Sequence, residues 1–183
     1  MKLKKLSKGF VIAIGLGVVL MGVTTYSAVT EPANITMAAN GGTVLALQAS
    51  GVSVAPLAPV ARFDEIHTKA RSGDWQAQIK TWGESDLHVV QVTIQPGGTL
   101  GWHRHLGPSF VTVKSGTATF YDGDDPTCMP HVVPAGSSLF EPAGDVHIVR
   151  NEGSEPLVNV VVQLLPPGAP RLIPVPSPGN CPF

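Results

Sequence analysis

Two histidines, His103 and His105, stand two residues apart within the stretch from Gly97 to Gly116, between short runs rich in β-branched and aromatic residues. On a strand, side chains alternate with a period of two, so these imidazoles point to one face. One inward imidazole is readily satisfied by a hydrogen bond. Two aimed at the same place must find partners or share a metal ion.

The rest of the chain reads as scaffold for that pair. Its 183 residues suit one domain plus extensions, and an apolar fraction of 43% is enough for a core. Twenty glycines and 17 prolines punctuate many short Val-rich runs, which favours an all-β fold over a helical bundle. Strand character is expected at 60–66, 75–82, 88–95, 99–105, 110–114, 118–121, 131–133, 138–140, 147–150 and 157–165. Turn signals such as Pro96-Gly97-Gly98, Leu106-Gly107-Pro108 and Pro142-Ala143-Gly144 separate them. About ten short strands at this spacing indicate a sandwich or barrel. The Asp122-to-Asp125 segment lacks the twelve-residue calcium-loop pattern and reads as a hairpin turn.

The chain begins with four lysines (Lys2, Lys4, Lys5, Lys8) followed by an apolar run, Phe10 to Val23, with no further charge before Glu31. That is the pattern of a secretory signal peptide, with a retained membrane anchor as the alternative. Small residues allow cleavage near Ser27 or Ala38. Removal would leave eight basic residues against 13 acids, an acidic balance without a basic patch that argues against nucleic acid as partner. The expected organisation is signal peptide and start of linker over 1–38, linker or edge strand over 39–57, β-barrel over 58–166, and an extended Pro-rich tail over 167–183, running over the surface. Export implies a secreted or extracytoplasmic location, without stable membrane association after cleavage. In an oxidising compartment Cys128 and Cys181 invite a disulfide, free thiols being the alternative.

The spacing around the histidines carries a resemblance. Gly97, five residues, His103, one residue, His105, three residues, Ser109, six residues, Gly116 is followed 19 residues on by Gly136, five residues, Pro142, one residue, Gly144, two residues, His147, three residues, Asn151. This pattern resembles the two motifs of the cupin superfamily at nine of ten fixed positions and covers about 89–165. The resemblance implies a single jelly-roll β-barrel with a divalent metal held inside it. Carried over by position, the implied ligands are His103, His105 and His147. Where the motif has a glutamate, this chain has Ser109.

Three imidazoles without the acid would leave the metal its full positive charge and open positions for water or substrate, favouring anionic ligands and strong Lewis acidity. Imidazole donors suit Fe, Zn, Mn, Ni or Cu more than Mg or Ca. Glu141 and Asp145, beside Pro142 and Gly144, read as turn residues facing solvent. If one reaches the pocket, Glu141 is the candidate general base. Ser109 and Gln163 are candidates for orienting the imidazoles. Trp102 and Arg104 alternate with the histidines and are expected outside the barrel, Phe110, Phe120, Tyr121 and Phe140 in the core, and His67, His88 and His131 in structural or exposed positions.

Two functional readings follow. The first is an exported metal-dependent enzyme, dioxygenase-like by preference or a lyase or isomerase, acting on a small anionic or oxygen-rich molecule. The second is a non-catalytic extracellular module that binds a small ligand or metal. A homodimer is compatible with either.

Overall fold

The computed structural model describes residues 48–183. The expected signal peptide and residues 39–47 of the expected linker or edge strand lie outside the described residues. No helix among those described is long and apolar enough to cross a membrane.

Thirteen strands form the described part: β1 (Ser50–Pro56), β2 (Ala61–Phe63), β3 (His67–Ser72), β4 (Trp75–Lys80), β5 (Ser85–Thr99), β6 (His103–Arg104), β7 (Ser109–Ser115), β8 (Thr117–Asp122), β9 (His131–Pro134), β10 (Ser138–Glu141), β11 (His147–Arg150), β12 (Leu157–Leu165) and β13 (Ile173–Pro174). β3 and β4 make a separate, wholly exposed hairpin. The other eleven belong to one sheet of order β10-β7-β12-β5-β11-β6-β13, with β1 and β2 added on β5, and β8 on β11 carrying β9. The sheet folds over at the end of β5, where Thr99 pairs with Arg150 of β11. This closes an all-β, jelly-roll-like barrel.

Alternation decides which residues fill it. Along β12 every second side chain is buried, namely Leu157, Asn159, Val161, Gln163 and Leu165, while the intervening ones are half-exposed. Antiparallel pairing then lines up whole rungs across β10, β7, β12 and β5. One rung is apolar, Leu139–Val111–Val161–Val90, and packs with Val92, Ile94, Val113, Val149 and Leu157 into the main core. The next is polar throughout, Glu141–Ser109–Gln163–His88. A polar row inside a β core is tolerated only where its members find partners or a ligand.

Several side chains sit where alternation alone does not place them. Phe110 and Phe140, expected in the core, are more than half exposed and lie against each other on the outer surface, ring centroids 5.1 Å apart. They occupy the parity opposite to Ser109, Val111, Leu139 and Glu141, which point inward. Tyr121 is buried and Phe120 half-buried, as expected. Trp102, expected outside the barrel or in a subunit contact, is covered by the tail and buried with Tyr121, Ile148 and Cys181. Arg104 is exposed.

The reason for the burial of Trp102 is the tail. Although its prolines exclude it from a sheet interior, it docks as an edge: Ile173 and Pro174 pair with Arg104 and His103 of β6, and Val175 donates its N–H to the Trp102 carbonyl. Further ties are the Gly168 N–H to Asp86 (2.8 Å), the Asn180 amide to the carbonyls of Asp122 and Asp125, and a Cys128–Cys181 disulfide. The extended tail is thus tied down as a strap along β6 on the barrel's surface.

Candidate metal centre

His103, from β6, and His147, from β11, are directly paired across the two strands. His105 follows one alternation step after His103. Parity, pairing and the second motif thus bring three imidazoles from two segments to one point, and all three side chains are at least 95% buried. One ring nitrogen from each lies within 4.8 Å of the others.

The orientation of the rings is set by backbone carbonyls. His103 Nδ1 donates to Gly101 O (2.8 Å), His105 Nδ1 to Arg171 O (2.6 Å) and His147 Nδ1 to Asp145 O (3.0 Å). Gly101 has φ of +72°, a conformation that costs glycine little and turns its carbonyl towards His103. With every Nδ1 protonated and engaged, each neutral ring presents the lone pair of Nε2 inward. Nε2 of His105 and of His147 are buried with no hydrogen-bond partner among the described residues. Leaving such atoms unmatched in a dry interior is costly, and a cation at their convergence satisfies them.

Burial, then repulsion from His147 and His105, pushes the His103 pKa down to about 3. His147 is held at about 3 by burial and then by His105. The His103 and His147 rings therefore stay neutral, the state that metal binding requires.

Glu141 departs from the sequence expectation. It does not face solvent as a turn residue; it is 4% exposed and is the last residue of β10. Its Oε2 lies 3.1 Å from His105 Nε2 and its Oε1 3.5 Å from His147 Nε2. The site is thus not free of carboxylate. The signal for this was the parity of Leu139 and Glu141, which share a face on β10. Asp145 does lie in an exposed turn and contributes only its carbonyl.

Ser109 and Gln163 are where the orienting role requires them. The Gln163 amide lies 3.1 Å from His105 Nδ1 and donates to Ser109 Oγ (2.9 Å) and to the Arg171 carbonyl (3.0 Å). Asn151, the last position of the second motif, is a structural residue: its amide donates to the carbonyls of Ile94 and Glu155 and its oxygen accepts from the Gly153 N–H. Of the other histidines, His67 is exposed, His131 is exposed beside Asp122, and His88 is half-buried at the end of the polar rung.

Sequence reasoning missed Asn159 and Arg171. Both line an enclosed cavity of about 30 Å³ with His103, His105, Glu141 and Gln163. Arg171 comes from the tail; burial lowers its pKa, and among the described residues no carboxylate pairs with it. Asn159 could have been found as a polar interruption four residues before Gln163 on the same face of a Val-rich strand.

Residues 90–163 match the family model described as Cupin domain. Among curated proteins nothing matches the chain. Solved structures similar to it include a conserved protein of unknown function from Streptococcus pyogenes (24% identity, TM-score 0.38, covering 44% of this chain and 65% of that one). Others are a cupin superfamily protein from Desulfitobacterium hafniense (13%, 0.41, 63% and 78%) and the polyketide cyclase RemF from Streptomyces resistomycificus (15%, 0.47, 71% and 77%). The chain spans just under two thirds of the length of the Streptococcus protein. The two-motif spacing, the all-β barrel around it and the family match together identify residues 90–163 as a cupin domain.

Proposed function

We propose that this chain is an exported cupin that holds one divalent transition metal ion on His103, His105 and His147 and acts as an enzyme on a small anionic or oxygen-rich molecule. The observation that carries this reading is the convergence of three buried imidazoles whose Nδ1 atoms all lie against backbone carbonyls, with the Nε2 atoms of His105 and His147 lacking a hydrogen-bond partner in the interior. Such a donor set suits Fe, Zn, Mn, Ni or Cu. When bound, the ion supplies Lewis acidity, and iron or copper also supplies the redox chemistry of a dioxygenase, the subclass we favour.

The protein's own residues account for the rest. Gln163 and the Arg171 carbonyl fix the His105 ring. The half-buried Arg171 guanidinium, with no carboxylate paired to it among the described residues, gives the cavity an anchor for an anionic group. Leu139, Val92, Val111, Val149 and Val161 line the remaining wall with apolar surface and exclude water. The Cys128–Cys181 disulfide fits an oxidising, extracytoplasmic location.

The test is oxygen uptake and product analysis by the iron-loaded protein across small thiols, diketones, polyphenols and carboxylates, with His105→Ala as control. Turnover that depends on His105, with a raised KM for anionic substrates in Arg171→Met, is the expected outcome. Metal-loaded protein that turns over none of them would favour the second reading, a non-catalytic metal- or ligand-binding module. The small volume of the cavity, with room for only a few atoms beyond the ion, is the observation that speaks for that alternative.

A further inference from the structure

The first cupin motif lacks its acid at Ser109, yet a carboxylate reaches the same interior from the adjacent strand. We propose that Glu141 of β10 is the fourth protein ligand of the metal centre, replacing the acid absent at position 109. The inference rests on the three-histidine reading above, and makes Glu141 a ligand in place of the general base suggested by sequence.

Glu141 is the direct antiparallel partner of Ser109, so the two side chains leave neighbouring strands on the same face, their Cβ atoms about 4.5–5.5 Å apart. Moving an acid from position 109 to 141 therefore shifts its root by a single strand spacing, which the two methylenes of a glutamate can span. Ser109 is then small enough to stay clear and instead accepts the Gln163 hydrogen bond.

Distances agree. Two ligand atoms each about 2.0–2.2 Å from one ion, at tetrahedral or octahedral angles, stand roughly 3–3.5 Å apart. The Glu141 oxygens lie 3.1 Å from His105 Nε2 and 3.5 Å from His147 Nε2. These are separations between donors that share a cation.

Charge agrees as well. Glu141 is almost fully buried, and its charged-group contacts among the described residues are those two imidazoles; no Lys or Arg pairs with it. A buried carboxylate with no cation within ion-pairing distance is disfavoured, and the cation that the three imidazoles would hold meets that need. The consequence is a centre one charge less positive than three histidines alone would make it.

The test is titration of chelator-stripped, full-chain protein with Co(II) and Zn(II), reading affinity by competition and the Co(II) visible spectrum directly. Wild type should bind one ion. Glu141→Gln should weaken binding by more than about tenfold, the lower end of what loss of a ligand's hydrogen-bonding partner already causes, and change the Co(II) spectrum. Adding Ser109→Glu to that variant should recover affinity by returning a carboxylate across the strand pair. Wild-type affinity and an unchanged spectrum in Glu141→Gln would overturn this inference while leaving the histidine centre standing. Wild type that binds neither ion would overturn both. A Glu141→Gln chain that loses its cooperative melt before any metal is added would make Glu141 a structural partner of the imidazoles and would also count against the proposal.

Discussion

The amide of Gln163 lies 3.1 Å from Nδ1 of His105, and both groups donate to the same acceptor, the carbonyl of Arg171. An inner-face side chain of β12, a ring of the metal centre and the backbone of the C-terminal strap are thereby tied into one unit. Replacing Gln163 by Leu removes two donated hydrogen bonds and frees the His105 ring to rotate. Metal affinity should fall by about 10–100-fold, measured by competition with a chromophoric chelator, while the melting temperature of the apo chain changes modestly.

Protonation of the centre sets a pH dependence for the apo protein. His103 and His147 are held at about 3 in the folded state, far below the ordinary value near 6.5. The unfolded chain therefore takes up protons first as the pH falls. Stability from these two residues is complete above about pH 6.5 and drains away towards pH 3. Asp86, held at about 2 by its hydrogen bond from Arg62 and then by the Gly168 N–H, loses its contribution only below the ordinary carboxylate range. Urea midpoints of chelator-treated protein should accordingly be lower at pH 5 than at pH 7.5. Equal midpoints would contradict the buried neutral imidazoles.

The strap makes a redox prediction. The disulfide joins residues 53 apart in sequence, and a bridge closing such a loop contributes about 2–4 kcal/mol. A Cys128→Ser/Cys181→Ser chain should be less stable by about 2–4 kcal/mol in urea unfolding and melt at a lower temperature. It should also bind metal more weakly, because β13 and the Arg171 carbonyl lose their distal anchor. Mass analysis of unreduced digests should recover a Cys128–Cys181 cross-linked peptide, and two alkylatable thiols would refute the pairing.

Exposure separates two apolar side chains of similar size. Leu157 is fully buried in the core, whereas Phe110 is 56% exposed. Leu157→Ala should cost about 2–5 kcal/mol and Phe110→Ser under about 1 kcal/mol, both read from urea unfolding. Comparable losses would mean that the Phe110–Phe140 pair is covered in solution.

Much of this was legible in the sequence because it depends on short-range rules. The parity of His103 and His105, the motif spacing that adds His147, and the strand alternation of 157–165 all follow from a period of two. Glu141 was misread as a turn residue because its neighbours Pro142 and Gly144 signal a turn, while its inward direction is set by Leu139 and its pairing with Ser109 by strand order, a non-local property. The same holds for Trp102: nothing within a few residues of it reveals that a strap from 170 residues onward covers its outer face. Phe110 and Phe140 were assigned to the core from hydrophobicity alone, although their parity relative to Ser109 and Glu141 places them outside. Arg171 could be seen only once the tail was docked.

The central claim is that three buried imidazoles hold a metal ion, and elemental analysis tests it most directly. Protein purified without immobilised-metal affinity should carry a stoichiometric transition metal, and His105→Ala purified identically should carry only traces. Wild type with no more metal than the variant would contradict the account.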